Sequence, residues 1–191
     1  MPAADTPPPA YRRRADAERN VAALLEAAAA SFVERGVDAP VRDIAARAGV
    51  GVGTIYRHFP TRADLVVAVY RHQVDELAAP AATDAGSPSA ALRAWVDRFV
   101  DFLVTKHGLA AALRSDDPAF LALHASFLDR LVPVCDGLLE AAVAAGECRP
   151  QVTGYELMRG IGNLCIGAES DPRYDARRMV EVLLDGLRPS S

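Results

Sequence analysis

Alternating apolar and polar runs, which are typical of strands, are missing from this sequence. Val and Ile do not gather into such segments between turn residues, whereas the helix formers Ala and Leu are common throughout. The sequence therefore predicts an all-α protein. Its 191 residues are long for one minimal domain and short for two full ones.

Signals for export, membrane insertion and metal binding are also missing. No stretch approaches the roughly 20 uninterrupted apolar residues of a membrane span, and the Pro-rich N-terminus lacks the apolar segment of a signal peptide. The three cysteines, Cys135, Cys148 and Cys165, lie far apart and show no C-x-x-C spacing, which favours buried thiols in a reducing compartment. We expect a soluble cytoplasmic protein with no membrane partner, no metal and no cofactor.

Catalytic motifs are absent as well. The sequence has no G-x-S-x-G, no P-loop, no Gly-rich dinucleotide fingerprint and no H-E-x-x-H. Asp116 and Asp117 form an adjacent acid pair, but neighbours on a helix diverge by about 100°, so helix capping beside Pro118 is the simpler interpretation. We therefore predict that the chain is not an enzyme.

Charge is divided unevenly along the chain. Residues 1–74 hold 10 Lys and Arg against 8 Asp and Glu, and the remaining residues hold 11 against 17, which gives +2 and −6 and recovers the net charge of −4. The N-terminal part is therefore the one suited to a polyanion.

Apolar residues recur at three- and four-residue spacing along most of the chain. The predicted helices cover residues 16–35, 41–48, a third segment that Pro60 stops, 62–78, 89–106, 109–114, 117–145, 153–167 and 173–187. Gly36 and Gly49 are expected to end the first two, residues 80–88 to form a loop, and Pro133 to kink or split the long helix.

Residues 1–17 are predicted to be a flexible arm, because their first ten residues are rich in Pro and low in large apolar groups. Arg12, Arg13 and Arg14 are either an ordinary solvated charge run or a contact to phosphate or minor groove.

Residues 41–62, VRDIAARAGVGVGTIYRHFPTR, have the pattern of a helix-turn-helix: two short helices joined by a tight turn that contains glycine. Arginines outnumber the single acid Asp43 in this unit, and hydroxyl and imidazole groups on the second helix can grip phosphate oxygens. Gly53 would let the backbone approach DNA closely. The arginines are Arg42, Arg47, Arg57 and Arg62, and the hydrogen-bonding residues are Thr54, Tyr56 and His58.

These residues resemble the TetR family of repressors. The resemblance runs from about residue 19 to 70 through LLEAAAASFVERGVDA, VRDIAARAGV and GTIYRHFPTRADLVVAV, in that order. The later segments GLAAALRSDDPAFL and AAGECRPQVTGYELMRGIGNL are similar to one ligand-domain subgroup, with a looser match. The chain departs from the family pattern at Pro40 and Gly51, where a capping Ser or Thr is common, and at Val52, where a polar residue is common.

The resemblance implies a role for each position. Thr54, Tyr56 and His58 would contact the phosphate backbone, as would Arg42 and Arg62. Arg57 and Val52 would face base edges or nearby phosphates. Because a Val side chain can touch a thymine methyl group but cannot bind guanine in a bidentate manner, we expect few direct contacts to the bases.

Aromatic residues concentrate again in residues 89–145. Two helices packed against each other would explain them, but a pocket between bundle helices is lined in the same way, with a few polar groups such as Tyr155. The predicted ligand-binding residues are Trp95, Phe99, Phe102, Phe120, His124, Phe127, Cys135 and Asn163. They favour a small, largely apolar effector.

Gly160, Gly162 and Gly167 either allow another helix to approach or mark a break. The resemblance implies that the last two helices form a homodimer. The prediction is a dimeric repressor on a palindromic DNA operator, released by its effector, with an arm (1–17), a DNA-binding domain (18–64) and a ligand-binding and dimerisation domain (65–191). The alternative is a helical interaction or small-molecule-binding module without DNA binding.

Overall fold

The computed structural model describes residues 9–79, 86–112, 118–149, 151–166, 168 and 171–189, with side chains from residue 19 onward except at 109–112 and 118–122. These residues contain helices and no strand, which confirms the all-α prediction. The helices are α1 (Pro9–Arg35), α2 (Val41–Ala48), α3 (Val52–His58), α4 (Arg62–Ala78), α5 (Pro88–Ala112), α6 (Pro118–Ala144), α7 (Gly154–Cys165) and α8 (Ala176–Asp185).

The predicted ends of the first helices are confirmed. Gly36 and Gly49 have φ angles of 75° and 67°, in the left-handed region that glycine tolerates. The N–H of Gly36 donates to the carbonyl of Phe32 at 2.8 Å, and the N–H of Val50 donates to Ala45 at 3.0 Å, so both helices close with satisfied carbonyls. Helix α1 begins at Pro9 rather than at residue 16 and includes part of the predicted arm. Residues 1–8 and the side chains of Arg12, Arg13 and Arg14 lie outside the described residues.

Two other boundaries differ from the prediction. Helix α5 is continuous through Gly108, where two helices were expected, and this glycine lies so close to Val37 that a Cβ would clash with it. Helix α6 likewise runs through Pro133 without splitting. Most of the predicted 80–88 loop lies outside the described residues, as do Asp116 and Asp117.

The N-terminal helices share one apolar core. Phe32 of α1, Ile44 of α2, Ile55 of α3 and Leu65 of α4 are at most 1% exposed. Each such side chain contributes about 1.5–3 kcal/mol on burial. Because Ile55 anchors α3 from the inside, the opposite face of α3 is turned to solvent.

Helix α4 joins this unit to the remaining helices. The indole N–H of Trp95 in α5 donates to the carbonyl of Leu77 at 2.9 Å, and the hydroxyl of Tyr70 donates to the carbonyl of Leu123 in α6 at 3.2 Å. Helix α4 is therefore fixed to both long helices of the C-terminal part.

The last two helices pack on the same body. Arg93 of α5 forms ion pairs of 2.5 Å with both Glu181 and Asp185 of α8. A Cβ at Gly160 of α7 would lie 3.6 Å from Cδ2 of Leu183, in ordinary contact. Gly160 lies within the continuous helix α7, so it does not mark a break.

Candidate DNA-binding surface and ligand cavity

Helices α2 and α3 form the predicted helix-turn-helix, with residues 49–51 as the turn. Neither helix has a side-chain cap at its N-terminus: Pro40 and Gly51 occupy the two positions in extended conformation. The N–H of Thr54 instead donates to the carbonyl of Gly51 at 2.9 Å. The departures from the family pattern are accommodated without distortion of α3.

The predicted DNA-contact residues of α3 lie on its outer side. Val52 is 39% exposed and Tyr56 is 50% exposed, whereas Ile55 is 1% exposed. Residues four apart share one face of a helix, so Val52 and Tyr56 form one row and Gly53 and Arg57 form the row beside it. His58 is exposed and Thr54 is partly buried.

Two features of this face stand out. The guanidinium Nη2 of Arg57 donates to the hydroxyl of Thr54 at 3.0 Å, which holds the cation along the helix. A Cβ added to Gly53 would have no neighbour within 4 Å. Packing within the chain therefore does not require glycine at this position.

The arginines of the unit differ in their partners. Arg47 makes two hydrogen bonds to Glu34, at 2.8 and 2.7 Å, and Arg35 bonds Asp43 at 2.5 Å. The hydrogen bond from Arg47 lowers the pKa of Glu34. Arg47 thus links α1 to α2.

Arg42 has a more open position. Its side chain is 82% exposed, and its Nε lies 3.4 Å from Asp43, a carboxylate that already receives Arg35. An exposed pair at this distance contributes little. Among the arginines of residues 41–62, Arg42 and Arg57 are therefore the two that do not tie one helix or turn to another.

Arg62 has a structural role that the sequence did not reveal. Its guanidinium donates to the carbonyl of Val37 and, at 2.6 Å, to that of Ala39, and so holds the α1–α2 turn against the start of α4. Thr61 and Asp64 cap α4 reciprocally beside it. The phosphate contact predicted for Arg62 stays a prediction.

A cavity of about 260 Å³ lies between α5, α6 and α7. Four predicted ligand-binding residues line it: Phe99, His124, Phe127 and Asn163. Tyr155, which was weighed as a polar group of the pocket, lines it as well. The other described lining residues are Leu103, Lys106, His107, Leu128, Met158, Arg159, Gly162 and Ile166.

Three predicted residues lie in the core and do not line the cavity. Trp95 is 3% exposed and stacks on Phe99 with ring centroids 5.3 Å apart. Phe102 is fully buried between the rings of Tyr70, Phe99 and Phe127. Cys135 is also fully buried. Helical spacing places such residues on an inner face but does not separate those that pack from those beside a gap.

Burial also makes the thiol of Cys135 unreactive. Burial, with the nearby Asp136, raises the pKa of its thiol to about 12, so it remains protonated. The remaining predicted residue, Phe120, lies outside the described side chains.

The sequence analysis missed the cations of the cavity. Lys106 lies with Nζ 5.0 Å from the ring centroid of Phe127, and its pKa is lowered by burial and by Arg159. Burial, Lys106 and Arg159 also lower the pKa of His124. A usable signal existed, because Lys106 and His107 continue the helical face of Phe99 and Leu103.

Helix α8 exposes large apolar side chains, and Ile166, directly after α7, is exposed beside the cavity. Ile166 is 65% exposed, Val182 57% and Met179 39%, whereas Leu184 is 4% exposed and belongs to the core. Within the described residues, no helix is long and apolar enough to cross a membrane, and no cluster of side chains could hold a metal ion.

Comparison with known proteins extends over nearly the whole chain. Residues 24–69 match the model for bacterial regulatory proteins of the tetR family, and residues 87–189 match the C-terminal domain of SbtR-like transcriptional regulators. The TetR transcriptional regulator SCO0520 of Streptomyces coelicolor is 35% identical, with a TM-score of 0.67 over 88% of this chain and 98% of its own. A TetR regulatory protein of Mycobacterium vanbaalenii is 34% identical, with a TM-score of 0.63 over 92% and 99%.

A curated relative is similar over the same length. The transcriptional repressor KstR2 of Rhodococcus jostii is 28% identical over 200 residues, which cover 95% of this chain and 97% of that protein. The helix-turn-helix geometry, the helical C-terminal part and these similarities confirm the resemblance inferred from the sequence. The chain belongs to the TetR family of bacterial DNA-binding transcriptional regulators.

Proposed function

We propose that the chain is a repressor that binds operator DNA as a homodimer and leaves it when a small molecule enters the α5–α6–α7 cavity. The supporting observation is that one chain combines an open α3 face, a ligand-sized cavity and a helix, α4, that is hydrogen-bonded to α5 and α6, two of the helices that enclose the cavity. Repression is favoured by the name of the relative aligned over 95% of the chain. The proposal assigns the protein no catalytic step, and its work on chromosomal DNA would take place in the cytoplasm.

The DNA contacts are proposed from exposure and charge. Val52 and Arg57 would face base edges or nearby phosphates in the major groove, where the Val methyl groups suit a thymine methyl and Gly53 lets the backbone approach closely. Specificity then depends on few base contacts and on the shape of the operator. The proposed phosphate contacts are Arg42, Thr54, Tyr56, Arg57 and His58, with Arg62 as a further candidate.

The dimer is proposed from the outer faces of α7 and α8. Exposed apolar residues such as Met179 and Val182 suit a second copy of the same surface, because a two-fold axis pairs each patch with itself. Such a dimer would present two α3 helices to half-sites about 34–36 Å apart. We propose residues 18–64 as the DNA-binding domain and 65–191 as the ligand-binding and dimerisation domain.

Selection from a random DNA library tests the proposal. We expect the purified protein to enrich a palindrome. Its affinity for that site should fall steeply as the salt concentration rises, because each phosphate contact releases bound cations from the DNA. Arg57→Ala should weaken binding to the selected site, whereas Arg188→Ala, near the C-terminus, should not. If the protein enriches no sequence and binds no DNA even at low salt, the alternative of a helical module that does not bind DNA is favoured instead.

Regulation needs its own measurement. A reporter gene placed downstream of the selected operator should be repressed when the protein is expressed. Higher reporter expression in the presence of the protein would identify an activator and contradict repression, although DNA binding would stand.

A further inference from the structure

Three helices bring basic side chains to one cavity. Lys106 comes from α5, His124 from α6 and Arg159 from α7, and all three line the same space of about 260 Å³. Their proximity is visible in the pKa values, since Arg159 lowers that of Lys106 and both cations lower that of His124. The two cations, Lys106 and Arg159, therefore repel each other across the cavity.

The described lining residues include no carboxylate. Within the described part of the chain, neither Lys106 nor Arg159 has an ion-pair partner; the ammonium of Lys106 lies over the ring of Phe127 instead. Cations removed from water are unfavourable unless a counter-charge compensates them. Lys106, which is partly buried, therefore lies beside the exposed Arg159 without a compensating charge, and an anion between the two would supply one.

The rest of the cavity is apolar. Phe99, Leu103 and Phe127 form one side, and Leu128 and Met158 extend it. A space of about 260 Å³ is of the order found for small-molecule sites. Inorganic phosphate would leave these walls uncovered, and an amine would add to the existing repulsion.

We infer that the cavity takes a small apolar acid, with its carboxylate among Lys106, His124 and Arg159 and its hydrocarbon part on the aromatic wall. This inference rests on the proposed function, in which the cavity is the effector site, and it replaces the largely apolar effector expected from sequence by an anionic one. Charge-assisted hydrogen bonds from Lys and Arg to a carboxylate are the strong ones, so the charge should dominate selectivity.

The test compares three molecules of one chain length: octanoate, 1-octanol and octylamine. The probe is the fluorescence of Trp95, the only tryptophan of the chain, whose ring stacks on the lining residue Phe99. Octanoate should bind the full-length protein at least about tenfold more tightly than octanol, a difference of about 1.4 kcal/mol. Octylamine should bind most weakly. Equal affinities, or no binding of octanoate, would overturn the inference.

Two variants locate the charge. Lys106→Met keeps an unbranched stem, and Arg159→Met removes an exposed cation that the fold does not need, so at least the latter remains testable as a folded protein. Each should weaken octanoate binding about tenfold and leave octanol unchanged. Arg98→Met, a cation of α5 outside the cavity, is the matched control. Unchanged octanoate affinity in Lys106→Met and Arg159→Met would refute the assigned carboxylate position.

Operator binding separates this inference from the proposed function. If octanoate binds through Lys106 and Arg159 but operator affinity stays constant, the ligand chemistry stands and the effector role fails. If a neutral molecule bound in the cavity releases the operator while octanoate does not bind, the effector role stands and the present inference fails.

Discussion

A Cβ atom built on Gly108 would lie 2.6 Å from Cγ2 of Val37 and nearer still to its Cγ1. This contact places the end of α5 directly against the α1–α2 turn of the DNA-binding part. Lys106 and His107, which line the cavity, precede Gly108 in the same helix. Arg62 binds the carbonyl of Val37 from the other side. A change at the cavity therefore has a short mechanical connection to the helix-turn-helix, in addition to α4.

Gly108→Ala should disturb this connection. The added methyl group has to displace Val37, so we expect operator affinity without effector to fall about tenfold, equivalent to roughly 1.4 kcal/mol of binding free energy. Fluorescence anisotropy with labelled operator measures the change. Gly137→Ala in α6, where a Cβ would have no neighbour within 4 Å, is the control and should bind normally. Operator binding and release identical to the wild type in Gly108→Ala would show that this contact carries no signal.

Arg62→Ala and Arg57→Ala should fail in different ways. Arg62 donates to two backbone carbonyls, so its removal should lower the free energy of unfolding by roughly 1–3 kcal/mol. Arg57 bonds only the exposed side of α3, so its removal should leave stability nearly unchanged and reduce the salt slope of DNA binding by about 0.9.

Denaturant unfolding and salt titrations of operator affinity distinguish the two arginines. If Arg62→Ala is as stable as the wild type, the structural assignment is wrong. A wild-type salt slope in Arg57→Ala would remove Arg57 from the phosphate contacts.

Val182→Glu should give a folded monomer. Val182 is 57% exposed in the single chain, so the carboxylate costs little there but would be buried unpaired in a dimer through α8. Multi-angle light scattering and circular dichroism measure mass and helicity together. Leu184→Glu is the contrasting variant: at 4% exposure it should unfold the chain instead. A Val182→Glu protein that stays dimeric would move the interface elsewhere.

Octanoate binding should strengthen as pH falls from about 8 to about 6, while the fatty acid remains ionised. In the free protein the pKa of His124 is lowered, by burial first and then by Lys106 and Arg159, so the ring is largely neutral at neutral pH. A carboxylate beside it favours the imidazolium and raises its pKa, so binding takes up a proton. Proton uptake gives higher affinity at lower pH.

Calorimetry in buffers of different ionisation enthalpy measures this uptake directly. His124→Gln should abolish the proton uptake. His107→Gln is the matched control, because His107 lines the same cavity. The other titratable groups that line the cavity are Tyr155, Lys106 and Arg159. Proton uptake that persists in His124→Gln and disappears in His107→Gln would assign the titration to the other ring.

Local signals in the sequence were sufficient for much of the fold. The bounds of α2 and α4 agree with the prediction because Gly49 and Thr61 act through the backbone of their own neighbours. The gap predicted between the helices 89–106 and 109–114 was wrong: Gly108 stays helical, and its neighbour Val37 lies far away in sequence, so only the tertiary fold brings the two together.

Less of the DNA-binding surface and of the cavity could be predicted from the sequence. The exposed face of α3 follows from helical spacing, but the engagement of Arg47 with Glu34 and of Arg62 with Val37 needs the packed structure. In the cavity, a lysine such as Lys106 reads as an ordinary solvated residue, because long charged side chains are usually exposed.

The close fit of Val37 on Gly108 also limits how modular this chain is. A hybrid regulator could be made by joining the DNA-binding half of this chain to the ligand-binding half of a relative. Where the two halves meet, such a hybrid would need glycine at the position of Gly108, or a residue smaller than Val at position 37. Among hybrids that still bind the operator, the residues at these two positions are therefore expected to covary. A large side chain at one position should occur with a small side chain, or none, at the other.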